Sequence, residues 1–360
     1  MDKDLKSKTF GELERLVIGL GQKKYIAGYI FGFIHTRGIT DIAAITSLSK
    51  SFRSELAEQG YYISKLEVIE KLTDPDGTVK YVFAIGNRQS TIDNKIESVL
   101  LFDDGRRTLC VSTQAGCGMG CVFCATGRLG LARNLTAGEI VDQANIASSC
   151  VPGPASRDDL RSTQNAERIT NVVFMGMGEP LANYDAVLSA VHILNHPAGH
   201  NIGIRRITIS TCGIPEAIER LADENIRPRL AISLNAPTDA IRRKLMPIAK
   251  KYPLDQLFLA VEFYQRKTRN RVTFEYCMIK SVNDTVSHAR LLVKRLRGFQ
   301  CNVNLIEYNP HEGCDLESSS PESIERFANV LKEAGIETTV RLKMGRTINA
   351  ACGQLGSLRH

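Results

Sequence analysis

The chain has no apolar run long enough to cross a bilayer, and its opening, MDKDLKSKTF, lacks the apolar stretch of a secretory signal. Neither membrane insertion nor export is expected, and the cytosol is the expected compartment. Cysteine is too sparse for a disulfide framework, at ten in 360 residues. No internal repeat and no low-complexity tract is present, so solenoids and fibrous arrays are excluded. Charge of neither sign dominates: 46 basic against 39 acidic residues leave +7, a mild tilt towards polyanions. Basic clusters occur at Arg205–Arg206, Arg242–Lys244, Lys250–Lys251, Arg266–Arg271 and Lys294–Arg295. Each alone reads equally well as a solvated helix face or strand end; their number is what makes a nucleic-acid partner worth carrying.

What is present is an ordinary globular composition, 43% apolar and 24% charged, with length for one large core and an appendage. The rest of the chain frames one stretch, Cys110 to Leu131, CVSTQAGCGMGCVFCATGRLGL. Within it Cys117, Cys121 and Cys124 are spaced C-x3-C-x2-C. Three thiolates on one loop hold three irons of a [4Fe–4S] cube and leave the fourth iron open. A structural zinc site wants four ligands, usually in two C-x2-C pairs, and no fourth ligand is nearby.

Residues 1–60 read as a helical accessory domain. Thr9 to Glu12 forms a capping box, Lys23 to His35 has helical spacing, and Ser51 to Glu58 precedes Gly60. Residues 61–102 read as an antiparallel β extension. Its hairpins are Tyr61–Leu72 with Thr78–Ile85 around Asp74–Gly77, and Ile96–Phe102 with Thr108–Thr113 around Asp103–Gly105. From 103 to 345 strand and helix alternate. Strands are expected at Asn171–Met175, Arg206–Ser210, Arg229–Ser233, Val272–Met278, Val303–Tyr308 and Thr338–Leu342. Helices are expected at Thr136–Ser149, Tyr184–Leu194, Pro215–Asp223, Leu254–Arg266, Ser287–Arg297 and Glu322–Glu333. Val151–Glu167 reads as an exposed loop, and residues 346–360 as a C-terminal tail. Such alternation demands a parallel sheet, and six or so units give an α/β fold, a partial (β/α)6 barrel of TIM type.

Sites in such barrels lie at the C-terminal strand ends, and the chemistry-bearing residues fall there. The cysteine loop follows the first strand, and Gly176-Met177-Gly178-Glu179-Pro180 follows the second. Ser210 ends the third, Ser233-Leu234-Asn235 the fourth and Asn309 the sixth. Taken singly, the glycines are ordinary turn formers and the polar residues ordinary turn caps.

Together CVSTQAGCGMGCVFCATG, FMGMGEP, ISTCG, SLNAP, KLMPI, RVTFEY, NVNLIEYNP and AACGQL closely resemble the RlmN/Cfr family of radical S-adenosylmethionine (SAM) RNA methyltransferases. The similarity runs from about residue 95 to 355 in matching order. It implies methylation of adenine, at C2 in the RlmN branch and C8 in the Cfr branch. Pro180 and the helical N-terminus favour the first, whose substrates are 23S rRNA and tRNA. The resemblance also implies a [4Fe–4S] cluster and two SAM molecules per turnover, the second bound on the open iron. SAM would be held by Gly178, Glu179, Ser210, Ser233, Leu234, Asn235 and Asn309. Cys352 matches the cysteine that carries the methyl group, Cys110 its partner in a transient disulfide, and Glu97 the general base. From the residues alone, Cys352 and Cys110 are inert buried thiols and Glu97 a solvated strand glutamate. The remaining cysteines, 150, 212, 277, 301 and 314, read as packing or surface residues. An electron donor such as flavodoxin or ferredoxin and a monomeric state complete the expectation. The family usually has His where Asn235 stands and acidic residues where Gly345–Asn349 stand, and the tail is expected to be mobile. A radical SAM enzyme with a non-RNA substrate, and a non-catalytic RNA-binding protein with a structural metal, are the alternatives.

Overall fold

The computed structural model describes residues 3–85, 95–149, 168–341 and 344–357. Three helices come first: α1 (Phe10–Gly19), α2 (Ile26–His35) and α3 (Lys50–Glu58). Thr9 caps α1, and Glu12 returns a carboxylate to the Thr9 N–H at 2.8 Å, completing the capping box. Ser49 caps α3 by accepting the Phe52 N–H. The inner faces of these helices, with Leu13, Val17, Ile30, Phe31 and Leu56 fully buried, belong to the same continuous core as the rest of the chain.

Residues 61–66, expected as strand, instead pair with the chain start. The Leu5 N–H donates to the Tyr62 carbonyl, and the Tyr62 N–H to Lys3. β1 (Glu67–Thr73) and β2 (Val79–Ala84) then turn at Asp74–Gly77. β3 (Lys95–Asp103) and β4 (Arg106–Cys110) turn at Asp104–Gly105, where φ is 43° and 71°. Two successive positive φ values are what a two-residue type I′ hairpin requires, and an Asp-Gly pair supplies them.

β5 (Gln114–Cys117), α4 (Ala125–Arg128) and β6 (Gly130–Asn134) bracket the cysteine loop. The β5–β6 hairpin is not anticipated in the sequence, because it is built on glycine. A Cβ on Gly116 would stand 1.9 Å from the Gly130 carbonyl oxygen. There follow α5 (Ala137–Ser149), β7 (Asn171–Phe174), α6 (Tyr184–Asn195), β8 (Ile207–Thr211), α7 (Pro215–Asp223) and β9 (Arg229–Ser233). α8 (Asp239–Leu245), α9 (Leu254–Thr268), β10 (Val272–Met278), α10 (Val286–Leu296), β11 (Cys301–Glu307), α11 (Pro321–Glu333) and β12 (Glu337–Arg341) complete the chain. α4 and the short, charge-rich α8 are further elements the sequence pattern missed. The loop expected at 151–167 lies outside the described residues, as does Leu342.

Ten strands form one sheet in the order β1-β2-β3-β4-β7-β8-β9-β10-β11-β12. From β4 onward every neighbour is parallel, and β1 to β3 extend the sheet antiparallel. Helical returns between successive strands enforce that direction. Six strand–helix units closed by β12 make the expected incomplete barrel, with every C-terminal strand end at one mouth. No helix among the described residues is long and apolar enough to cross a membrane.

Candidate active site

The strand ends enclose a cavity of about 170 Å³. Cys117, Cys121 and Cys124 line it, as do Gly176, Gly178, Glu179, Ser210, Ser233, Asn235 and Cys352. A second cavity of about 470 Å³ lies along the seam between β12 and β3–β4, lined by Thr108, Asn304, Asn309 and Arg341 among others. Cys352 and Ile306 border both.

The cysteine loop is fastened on two flanks. The Val122 N–H donates to the Leu245 carbonyl at 3.0 Å, and the Ala125 N–H to the Gly353 carbonyl at 2.8 Å. Burial pushes the Cys117 thiol up to about 12 and raises Cys121 and Cys124 as well; the other two thiols push Cys121 further. Thiols so placed ionise readily only beside a compensating cation, and a metal centre is one. Among the described residues no three His, Cys, Asp or Glu side chains converge as a single bound ion requires. Zinc would need its sulfurs within about 2.3 Å of one point. Thiolates that each bind a different corner of a cube need no such convergence, so the trio fits a cluster better than one ion.

The glycines after β7 are fixed by close approach. A Cβ on Gly176 would lie 2.7 Å from the Val111 backbone, and Gly178, at φ 101°, would put one 2.5 Å from the Gln114 Cβ. Gln114 accepts the Glu179 N–H at 2.8 Å, a role the sequence did not signal. The buried Glu179 carboxylate accepts N–H donors from Leu181 (3.0 Å) and Cys212 (2.8 Å). Burial raises its pKa against the pull of these donors. An anion held at the cavity wall by fixed donors suits an ammonium group opposite it.

Ser210 and Ser233 line the same cavity. The Ser210 hydroxyl donates to Glu275 at 3.0 Å, and Arg341 stands 3.3 Å from the other Glu275 oxygen, an ion pair strung across the barrel. Asn235 takes φ 58°, a region open to Asn but costly for most side chains. Its carbonyl oxygen accepts the Cys277 N–H and its amide points to the Met246 sulfur, so the side chain also braces the wall. Leu234 is buried and is not among the residues lining either cavity. Asn309 lines the seam cavity and donates to the Cys352 carbonyl at 3.1 Å. Cys212 and Cys277, read as packing residues, are buried and also line the first cavity, beside Met246 and Tyr308. No period-two or motif signal separates such residues from ordinary core. Cys301 and Cys314 are half-buried; Cys150 lies outside the described residues.

The tail, expected to be mobile, is tied down at several points. Asp74 accepts both the N–H and the hydroxyl of Thr347, and Asp76 accepts the Gly345 N–H. The Thr126 hydroxyl donates to the Leu355 carbonyl at 2.6 Å and the Gln354 amide to the Pro310 carbonyl at 2.9 Å. This path delivers Cys352 to the wall between the two cavities. Cys110, at the end of β4, is buried; burial raises its thiol strongly, and a charge on Cys352 would raise it further. Glu97 lines neither cavity. Its carboxylate accepts the Gly356 N–H at 3.1 Å and pairs with Lys80 at 3.5 Å.

Two family models match the chain: the radical SAM superfamily over residues 157–292, and the ribosomal RNA large subunit methyltransferase N-terminal domain over 3–61. A probable dual-specificity RNA methyltransferase RlmN from Alkaliphilus oremlandii is 44% identical, covering 98% of this chain and 97% of its own length. The chain belongs to the RlmN family of radical SAM RNA methyltransferases. A second RlmN relative, from Thermotoga maritima, is 43% identical over 98% of the chain and 97% of its own length. The crystal structure of a radical SAM methyltransferase from Sphaerobacter thermophilus superposes with a TM-score of 0.86 at 41% identity, over 98% of this chain and 99% of that one. Membership in the RlmN family accounts for the incomplete barrel, the cysteine trio and the helical module together.

Proposed function

We propose that the chain methylates C2 of adenine in 23S rRNA and in tRNA, carrying the methyl group on Cys352 and releasing product through a disulfide with Cys110. The reading rests above all on Cys352, which borders both the cavity of the cysteine trio and the seam cavity. Adenine C2 is electron-poor and does not displace the methyl of SAM; a thiolate does.

Cys117, Cys121 and Cys124 would hold a [4Fe–4S] cluster, with Gly178, Glu179, Ser210, Ser233 and Asn235 around the SAM on its open iron. When bound, cluster and SAM supply a 5′-deoxyadenosyl radical that takes hydrogen from the methyl group on Cys352. Two SAM molecules serve each turnover, one giving Cys352 its methyl and one giving the radical. Cys352 then holds the carbon against C2 of an adenine drawn out of its stack. The adduct gives up its C2 proton to Glu97 and one electron, which the cluster held by Cys117, Cys121 and Cys124 would take back. For that, Gly356 must first release the carboxylate, since its N–H occupies Glu97 in the docked tail. Cys110 gives up its proton and attacks the Cys352 sulfur; the sulfur–carbon bond breaks, the departing carbon takes a proton to complete the methyl group, and methylated RNA leaves as the disulfide forms. The enzyme works in the cytosol as a monomer, with a flavodoxin or ferredoxin as electron source.

Cys110→Ala purified from cells is expected to carry RNA covalently on Cys352, with 2-methyladenosine recovered from RNA treated with the unmutated enzyme. Free methylated RNA released by Cys110→Ala, or 8-methyladenosine as product, would overturn the reading.

A further inference from the structure

The cysteine loop has a second flank, facing away from the tail's contacts in sequence. There it leans on α8 and the 3-10 turn Pro247–Lys250: the Val122 N–H donates to the Leu245 carbonyl, and a Cβ added to Gly120 would touch the Pro247 ring at 3.6 Å. The segment from residue 240 to 254 contains no acidic residue. It exposes Arg243, Lys244, Lys250 and Lys251 around Pro247, next to exposed Val122 (39%) on the loop itself. Among the described residues none of the four cations forms an ion pair. Arg242, by contrast, is fully buried behind the loop and bonded to the Cys212 and Leu234 carbonyls, so it braces the patch from within.

We propose that this face docks an acidic one-electron carrier protein. The inference rests on the reading that Cys117, Cys121 and Cys124 hold a cluster that must be reduced. An apolar spot over Val122 and Pro247, beside exposed cations that form no ion pair among the described residues although Lys251 lies over the Tyr252 ring, is the complement of a small acidic partner whose redox centre lies near its own surface. Docking there sets the partner against the residue next to Cys121. In the docked complex one electron would pass from the reduced carrier to the cluster held by Cys117, Cys121 and Cys124, and the carrier would depart oxidised by one electron. RNA is the other polyanion available, but its target must reach Cys352, and the tail meets the loop through Ala125 and Gly353 instead.

The test uses the full chain with its cluster reconstituted, an acidic flavodoxin as probe, and the charge-reversed triple variant Arg243→Glu, Lys250→Glu, Lys251→Glu. The triple reversal Arg290→Glu, Lys294→Glu, Arg297→Glu, at exposed positions on and just after α10, is the control for net charge. Flavodoxin affinity is measured by titration without RNA. The triple variant is expected to lose about tenfold or more in affinity, with the unmutated affinity weakening as salt rises. SAM cleavage driven by reduced flavodoxin falls in step, while cleavage driven by dithionite and affinity for RNA stay unchanged. Unaltered flavodoxin affinity and flavodoxin-driven cleavage would overturn the proposal. So would a loss of RNA affinity with flavodoxin binding intact, which would give the patch to RNA. An unmutated chain that binds flavodoxin through this face but never methylates RNA would count against the function above and leave the docking surface standing.

Discussion

Gly178 is where a single atom decides binding. It adopts φ 101°, and a Cβ there would sit 2.5 Å from the Gln114 Cβ. Gln114 in turn fixes the Glu179 backbone, so the strain passes directly to the carboxylate facing the cavity. Gly178→Ala is expected to cost about 1–3 kcal/mol in strain and crowding and to weaken SAM binding by at least about tenfold. Calorimetric titration of SAM into the reconstituted protein reads it, with Gly203→Ala, whose Cβ would meet nothing, as the control. Equal affinity in the two variants would refute the role given to Gly178. Sequence alone identified this glycine pair as loop-forming; the clash with Gln114 is between residues far apart in the chain and is visible only in the fold. Glu97 and Cys352 show the same limit. Neither residue type nor spacing distinguishes them from a strand glutamate and a packed thiol, and only resemblance singled them out.

Among the elements, the tail and the β1–β2 turn act as one unit. Asp74 takes two hydrogen bonds from Thr347, and the Thr347 hydroxyl holds its carboxyl below the ordinary 3.8. Docking through Asp74 is therefore kept above its ordinary range and lost only as pH falls through that lowered value. Asp74→Ala is expected to free the tail at neutral pH, speeding proteolytic cleavage between residues 344 and 357 by several-fold, roughly as local opening permits, and slowing RNA methylation. An unchanged cleavage rate would show that Asp74 does not hold the tail. A different pH response belongs to the contact between α2 and the barrel. His35 is buried with no partner for either ring nitrogen among the described residues, packed on Phe31 and faced by His200, His196 and Lys6. Burial lowers its pKa well below 6.5, so below that value the unfolded chain binds a proton that the folded chain refuses. Stability is expected to be full above neutrality and to decline as pH drops below 6.5, with His35→Phe flattening the decline. Thermal midpoints across that range decide it; a midpoint that rises on acidification would contradict the assignment.

Across the whole molecule, the elements with strong punctuation were legible: β9, β10 and α7 begin and end where their patterns place them. Pro215 opens α7, and the two strands are short, mostly apolar segments of the length a buried parallel strand needs, with Thr273 and Glu275 the polar positions inside β10. Glycine-built β5–β6 and charge-rich α8 were not legible, because close approach and a cap at Thr238 define them where periodicity does not. The helical module looked separable in sequence, yet it shares one core with the barrel. Lys6 and Asp142, both buried, pair at 2.5 Å across that boundary, and Asp142 also accepts the Leu66 N–H at 2.7 Å. Lys6→Ala in the intact chain would strand a buried carboxylate, a loss of about 3–5 kcal/mol, and removing residues 1–60 would expose the apolar core the module shares with the barrel. The chain is therefore expected to unfold as one unit, with module and barrel melting in a single calorimetric transition. The truncated chain from Tyr61 is expected to melt far lower or aggregate. Two resolved transitions in the intact protein, or a truncated barrel as stable as the whole, would show that the shared core does not couple them.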